Sequence, residues 1–333
     1  MDSRSSPPRL PVPIPLDAIE RARDRLHAVH PPRAPLPARG PAFDSLPYRV
    51  HLACENLSPI GSFKLRGAGN AILALSPEEL AGGLVTASAG NMAQGVAWHA
   101  RRLGVRCTVI VPDTAPAGKL DAIERLGARV IRTTPERWWQ VLTDRGDPEA
   151  DGHFIHPVCD LEVLAGNATL GLELAESIED LDAVLVPYGG GGLSSGIASA
   201  LAARAPGVRV FAVEVEGRAP LHAALSAGGP VDIEPRESFV DGIGGRSVLA
   251  EMWPLASGLL AGSLLTDDGG AAEAIRVLAN SVHVVAEGAG AAPVAVALAR
   301  PEELASCRSI ACVVSGGNLD AAKLARALLG RMP

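Results

Sequence analysis

The chain has no C-x-x-C pair. Its five cysteines, Cys54, Cys107, Cys159, Cys307 and Cys312, are scattered, most of them in apolar runs. An odd, dispersed set excludes a disulfide framework and reads as reduced core thiols of a cytoplasmic protein. Basic runs are missing too: 30 Lys and Arg stand against 37 Asp and Glu, a net charge of -7. Nothing could track a phosphate backbone, so nucleic acid is not an expected partner. Every long apolar stretch is broken by Gly, Pro or charge before it reaches about 18 residues, which excludes a membrane span. Residues 1–16 are proline-rich and lack an apolar h-region, so they are not a signal peptide, and a flexible arm is expected there. No internal repeat period is visible.

What is present is a hydrophobic content of 47% with 20% charged residues over 333 positions, enough for a large core and more than one domain. Apolar runs and amphipathic segments alternate. Strands are expected at 48–54, 84–87, 107–111, 129–132, 183–186, 208–213, 264–266 and 310–314. Helices are expected at 17–29, 65–75, 91–103, 116–126, 160–175, 193–203, 270–280, 288–298 and 320–329. Gly104 and Gly127 stand where helix C-caps belong. This order predicts an α/β fold of two lobes, each a mostly parallel twisted sheet flanked by helices. A large domain would be built from 17–83 and 158–333, with a small mobile domain at 84–157 inserted into it.

Chemistry concentrates at strand-to-helix turns. The run Val184 to Gly196 empties a buried strand into Gly189, Gly190, Gly191 and Gly192, then Leu193 and a helix. Backbone amides without Cβ atoms can close around an anion, and the helix dipole adds to their field. A tight turn alone would need only one or two glycines, so a phosphate is the expected guest. Gly190, Gly192 and Gly196 are spaced one residue too far apart for a dinucleotide fingerprint, and the G-K-[ST] of a P-loop is absent, which leaves a small phosphate monoester. Earlier, Pro59, Gly61 and Ser62 break the chain and Ser62 can N-cap a helix, so that Lys64 projects from its first turn. The helix dipole there disfavours an ammonium, which suits a nucleophilic amine, although a lone lysine in such a place is usually a solvated charge. Ser88 and Asn91 flank Ala89 and Gly90 at a third turn, a suitable seat for a carboxylate or simply a helix cap. Ser315 leaves the sheet at a strand's carboxyl end, where open α/β sheets bind ligands.

Taken together, these motifs resemble the fold type II pyridoxal 5'-phosphate enzymes with the tryptophan synthase beta-like fold, and among them the threonine and serine dehydratases. The resemblance runs from about Tyr48 to about Leu329. It rests on Glu55-Asn-Leu, Gly61-Ser-Phe-Lys-Leu-Arg-Gly-Ala68, Ser88-Ala-Gly-Asn91, His156-Pro, Ala165-Gly-Asn-Ala-Thr169, Gly189 to Leu193, Val240-Asp-Gly242, Glu287-Gly-Ala-Gly290 and Ser315-Gly-Gly-Asn318. It implies that Lys64 holds pyridoxal phosphate as a Schiff base and removes the substrate Cα proton. Phe63 would pack on the ring, Asn91 bond its 3'-oxygen, Ser315 face its nitrogen, and Gly189, Gly190, Gly191, Gly192 and Leu193 hold the phosphate, which would protonate the leaving hydroxyl. Glu287 belongs with these cofactor contacts. Ser88, Ala89, Gly90, Asn91 and Gly242 would face an amino-acid substrate.

The implied reaction is β-elimination from a β-hydroxy amino acid such as L-threonine or L-serine, giving a 2-oxo acid and ammonia, in a homodimer. Ala89 replaces the serine of the related racemases and cannot pass a proton, which disfavours racemisation. Met92 and Asn167 depart from the usual histidine and glutamine on the expected substrate side, leaving the substrate open. Pro220 replaces an aspartate that with Glu214 would hold a divalent cation, so no metal site is expected; nor is a regulatory domain after the Ser315 turn. A β-replacement synthase and a non-catalytic phosphate-ligand binder are the competing readings.

Overall fold

The computed structural model describes residues 9–333. Its strands are β1 (Leu36–Pro37), β2 (Arg49–Cys54), β3 (Leu84–Ala87), β4 (Cys107–Pro112), β5 (Arg129–Thr133), β6 (His153–Phe154), β7 (Ala183–Pro187), β8 (Arg209–Val215), β9 (Gly262–Thr266) and β10 (Ser309–Val314). They form a six-stranded sheet in the order β1-β2-β10-β7-β8-β9 and a four-stranded sheet in the order β5-β4-β3-β6. All neighbours run parallel except the edge pair of β1 and β2. The architecture is therefore α/β with helix-covered parallel sheets.

Central strands are apolar on both faces because helices cover both sides. In β7, Leu185 packs with the helices Asp268–Val282 and Gly288–Ala299, while Val184 and Val186 face the helices Leu161–Ser177 and Gly192–Arg204. The same two-sided alternation holds in β10, where Ile310 and Cys312 oppose Ala311 and Val313. Each such fully buried Val, Leu or Ile contributes about 1.5–3 kcal/mol. A third core cluster, including Leu84, Val96, Val109 and Ile123, supports the four-stranded sheet. All five cysteines are free thiols. No helix among the described residues is long and apolar enough to cross a membrane.

Several expectations need correction. The proposed arm lies partly outside the described residues, but Leu10 and Ile14 within it are buried, and the Ile14 amide donates to Ser199 Oγ (3.1 Å). Apolar side chains between prolines have docked against the helices Leu16–Leu26 and Leu161–Ser177 rather than staying in solvent. The first helix ends at Leu26, before the expected 29. The short helices Pro77–Ala81, Pro220–Ala227 and Trp253–Leu259 have no counterpart among the expected elements.

Candidate active site

Four strands of the two sheets deliver the candidate residues from their carboxyl ends: β2 leads to Lys64, β3 to Ser88, β7 to the glycine loop and β10 to Ser315. Backbone bonds stitch two of these turns together. Phe63 donates its N–H to the Ser315 carbonyl (2.9 Å), and Gly317 donates to the Gly61 carbonyl (2.9 Å). Gly61 adopts a positive φ of 67° that makes room for this pairing.

The helix Lys64–Leu73 starts at Lys64, with Phe63 rather than Ser62 at the N-cap and no side-chain cap. Ser62 Oγ instead accepts the Lys64 N–H at 3.3 Å. Lys64 Nζ donates to the Pro157 carbonyl (2.8 Å) and lies 5.2 Å from the centre of the Phe63 ring. Its pKa is lowered to about 8. Burial of the ammonium is the cause, not chiefly the helix dipole expected from the sequence. Beneath this helix Arg66, 1% exposed, forks onto both Glu55 and Glu173 through four bonds of 2.6–2.8 Å and reaches Thr169. Burial alone would raise the pKa of Glu55, but the Arg66 guanidinium holds that carboxyl well below its usual range. The cluster clamps the lysine-bearing helix to the segment after β2 and to the helix Leu161–Ser177.

At the glycine loop, Gly191 has φ 87°, and a Cβ there would press on the Tyr188 ring. A Cβ at Gly189 would lie 2.7 Å from the Gly242 carbonyl, which brings Gly242 to the loop. Ser195 is the first residue of the helix Gly192–Arg204 whose N–H finds a backbone carbonyl, that of Gly191 (2.9 Å). The amides of Gly192, Leu193 and Ser194 make no hydrogen bond among the described residues. A cradle of free amides, entered through glycines at 189–191 that leave no room for side chains, fits a phosphate.

The helix Asn91–Leu103 repeats this arrangement on the other sheet. Its first amide in use is that of Gln94, donating to the Gly90 carbonyl (3.3 Å), and Ser88 Oγ accepts the Gly90 N–H (3.2 Å). Ala89 is partly buried against the small sheet's core. Asn91 Nδ2 donates to Glu287 Oε1 (3.1 Å), and Asn91 Oδ1 accepts from Asn318 Nδ2 (2.8 Å). Burial pushes the Glu287 carboxyl up to about 7, with the Asn91 amide opposing that rise. Ser315 is 2% exposed. Thus Lys64, Phe63, Ser315, Asn91 and Glu287 form one linked set, and Gly242 joins it to the glycine loop.

Two departures noted in the sequence are buried. Met92, 2% exposed, is a core residue of the small sheet, and Asn167, 1% exposed, is wedged between Gly67 and Gly192. Asn167 Nδ2 donates to the Gly192 carbonyl (3.4 Å), so it contacts the glycine loop. The Glu214 carboxylate accepts from the Leu221 and His222 amides (2.9 and 2.8 Å) and from Ser263 Oγ (2.6 Å), capping the helix Pro220–Ala227. No group of three His, Cys, Asp or Glu suited to a metal occurs among the described residues. Sequence reasoning missed the Pro157 carbonyl, the Arg66 fork and the Lys119 to Asp241 ion pair (3.1 Å). Arg66 and Asn318 were inside the quoted motifs and could have been singled out; the Lys119 pair carries no local signal.

A hydrophobically walled amine, a cradle of free amides and a hydroxyl at one sheet edge could hold a phosphate-bearing carbonyl cofactor. The chain matches the family "Pyridoxal-phosphate dependent enzyme" over residues 33–316, and it belongs to that family. Its cofactor is pyridoxal 5'-phosphate. It is 36% identical to an L-threonine ammonia-lyase of Geobacter sulfurreducens over 92% of this chain and 76% of that one. The structure of a T.th. threonine deaminase superposes with a TM-score of 0.83 at 33% identity, covering 92% and 98% of the two chains. A pyridoxal 5'-phosphate-dependent aspartate racemase superposes equally well, TM-score 0.83 at 32% identity over 95% and 99%.

Proposed function

We propose that this enzyme is an ammonia-lyase that eliminates water from a β-hydroxy amino acid such as L-threonine or L-serine, leaving a 2-oxo acid and ammonia. The observation that carries this reading is the single amine at the site, Lys64, with its pKa lowered to about 8, combined with a methyl group at Ala89 in the facing loop. Such an amine accepts a Cα proton near neutral pH. Pyridoxal phosphate, when bound, supplies the conjugated sink that draws off the Cα electron pair.

The chain's own groups then divide the work. Gly189, Gly190, Gly191, Gly192 and Leu193 would hold the phosphate, Phe63 would wall the ring, and Asn91, beside Glu287, would donate to its 3'-oxygen. The Ser315 hydroxyl would face the ring nitrogen. A hydroxyl can donate to a neutral nitrogen, whereas a carboxylate would keep it protonated and deepen the sink; the shallower sink favours prompt loss of the β-hydroxyl. Ser88, Ala89, Gly90 and Gly242 face the substrate, and the free amides before Gln94 suit its carboxylate. Overall a Cα–H and a Cβ–O bond break and water leaves, Cβ takes up a proton, and a second water replaces nitrogen at Cα. Residues 84–157 act as a small mobile domain on a large one of 17–83 and 158–333, in a cytoplasmic homodimer.

Likeness to an aspartate racemase favours a second reading, racemisation. That reaction needs a proton delivered to the opposite face of Cα, and Ala89 has none to give. Incubating the cofactor-loaded enzyme with a panel of β-hydroxy amino acids and measuring 2-oxo acid and ammonia tests the proposal. Change of optical rotation without 2-oxo acid would replace elimination by racemisation. A new amino acid formed only when a thiol is added would indicate β-replacement.

A further inference from the structure

We infer that Asn318 is a positioning residue, which fixes the amide of Asn91 so that only its NH2 group can be turned toward the cofactor. The inference rests on the role proposed above for Asn91 and adds a residue to which that role is not yet attached. A side-chain amide can be placed either way round, and its direction must be set by partners with only one hydrogen-bonding sense. Here such a partner exists. Asn318 Nδ2 donates to the backbone carbonyl of Ile60 (2.8 Å), and a carbonyl can only accept. This identifies the NH2 end of Asn318.

The same Nδ2 lies 2.8 Å from Asn91 Oδ1, so the atom of Asn91 at that place must be the acceptor. Asn91 Nδ2 is thereby turned to the other side, where it donates to Glu287 Oε1 (3.1 Å) and keeps a second proton free. Polarity is relayed from Ile60, on the loop that carries Lys64, through Asn318 to Asn91 at the head of the helix Asn91–Leu103. Gly61 is part of the device: a Cβ there would lie 2.7 Å from Asn318 Oδ1, and the positive φ of Gly61 already favours glycine. Asn318 itself faces solvent at the rim, so a packing role does not account for its two bonds. A reversed Asn91 would present its carbonyl to the cofactor's ring oxygen and to the ionised form of Glu287, acceptor facing acceptor.

The test uses the full chain with Asn318→Ala, Asn318→Asp, Asn91→Ala and the double variant Asn91→Ala/Asn318→Ala. Pyridoxal phosphate affinity of the apo-protein is read by fluorescence titration, and the visible absorbance band of the bound cofactor is read against pH. Asn318→Ala should weaken cofactor binding about tenfold and move the band toward that of Asn91→Ala, with the melting temperature of the apo-protein little changed. Asn318→Asp, the same shape without an NH2 group, should do the same, and it carries the test if the alanine variant does not fold. The double variant should be no worse than Asn91→Ala alone. A parental band and affinity in both Asn318 variants, or additive losses in the double variant, would overturn the inference while leaving the proposed function standing. A parental band in Asn91→Ala would overturn the role of Asn91 itself, and the inference with it.

Discussion

Two helix N-termini in this enzyme do similar electrostatic work by different means. At the head of Gly192–Arg204 the glycine loop is locked: Cβ atoms are barred at Gly189 by a backbone carbonyl and at Gly190 by Val158, and Gly191 needs a positive φ. At the head of Asn91–Leu103 the loop is open, and a Cβ on Gly90 would meet nothing within 4 Å. That second loop is tied to the large sheet's side by polar contacts, among them Asn91 to Glu287, Asn91 to Asn318 and, further along, Lys119 to Asp241. On the proposed reading the glycine loop would keep its phosphate in place throughout turnover and gain from a rigid cradle, whereas the Asn91 loop would have to admit and release substrate. Lys64 sits between the two, on a helix held from below by Arg66.

The sharpest way to break this picture is at Lys64. Lys64→Ala should lower 2-oxo acid release by about 10³-fold or more, because the amine proposed to take the Cα proton is gone. An active Lys64→Ala enzyme would remove the site from this cleft altogether. Next in size is the support beneath it. Arg66→Ala leaves Glu55 and Glu173 buried without their partner, and urea unfolding of the apo-protein should lose about 3–5 kcal/mol. Stability within about 1 kcal/mol of the parent would mean that the fork is not what holds the helix.

The two loops can then be set directly against each other. Gly189→Ala drives a methyl into the Gly242 carbonyl at 2.7 Å, and overpacking of about 1–3 kcal/mol should weaken pyridoxal phosphate binding about tenfold or more. Gly90→Ala meets open space, so cofactor affinity in the same fluorescence titration should stay within about threefold. Equal losses would mean that the loops do not differ in rigidity.

Much of this could be seen in the residues themselves. β3 and the helix Asn91–Leu103 begin and end where apolar runs and Gly104 place them, because a buried parallel strand and a glycine-capped helix leave strong local signals. The helix Pro77–Ala81 lies outside the expected elements although Ser76 and Glu79 form a capping box, a readable pattern on an element with no buried residue. What could not be read is long-range. Nothing near Lys64 announces that its ammonium meets the Pro157 carbonyl, or that burial rather than the helix terminus dominates its pKa. Met92 follows one quoted motif and Asn167 lies inside another, yet both are packed in the interior, since neighbours on a helix point to different faces.

The most indirect test concerns Glu287, where the open loop touches the large sheet. Its carboxyl has an ordinary value near 4.5 and is raised to about 7 in the folded chain by burial. The folded state therefore binds more protons than the unfolded one between those values. The stabilisation from Glu287 is fully present below about pH 4.5 and is lost as pH rises through about 7. In apo-protein unfolding measured from about pH 5 to about pH 8, Glu287→Gln should remove that downward contribution, so that the stability difference between variant and parent grows in the variant's favour with pH. Because the Asn91 amide opposes the rise, Asn91→Ala should move the loss to still higher pH. Identical pH profiles in all three proteins would show that the open loop is not coupled to this carboxyl, and that the contrast between the two helix termini ends at Asn91.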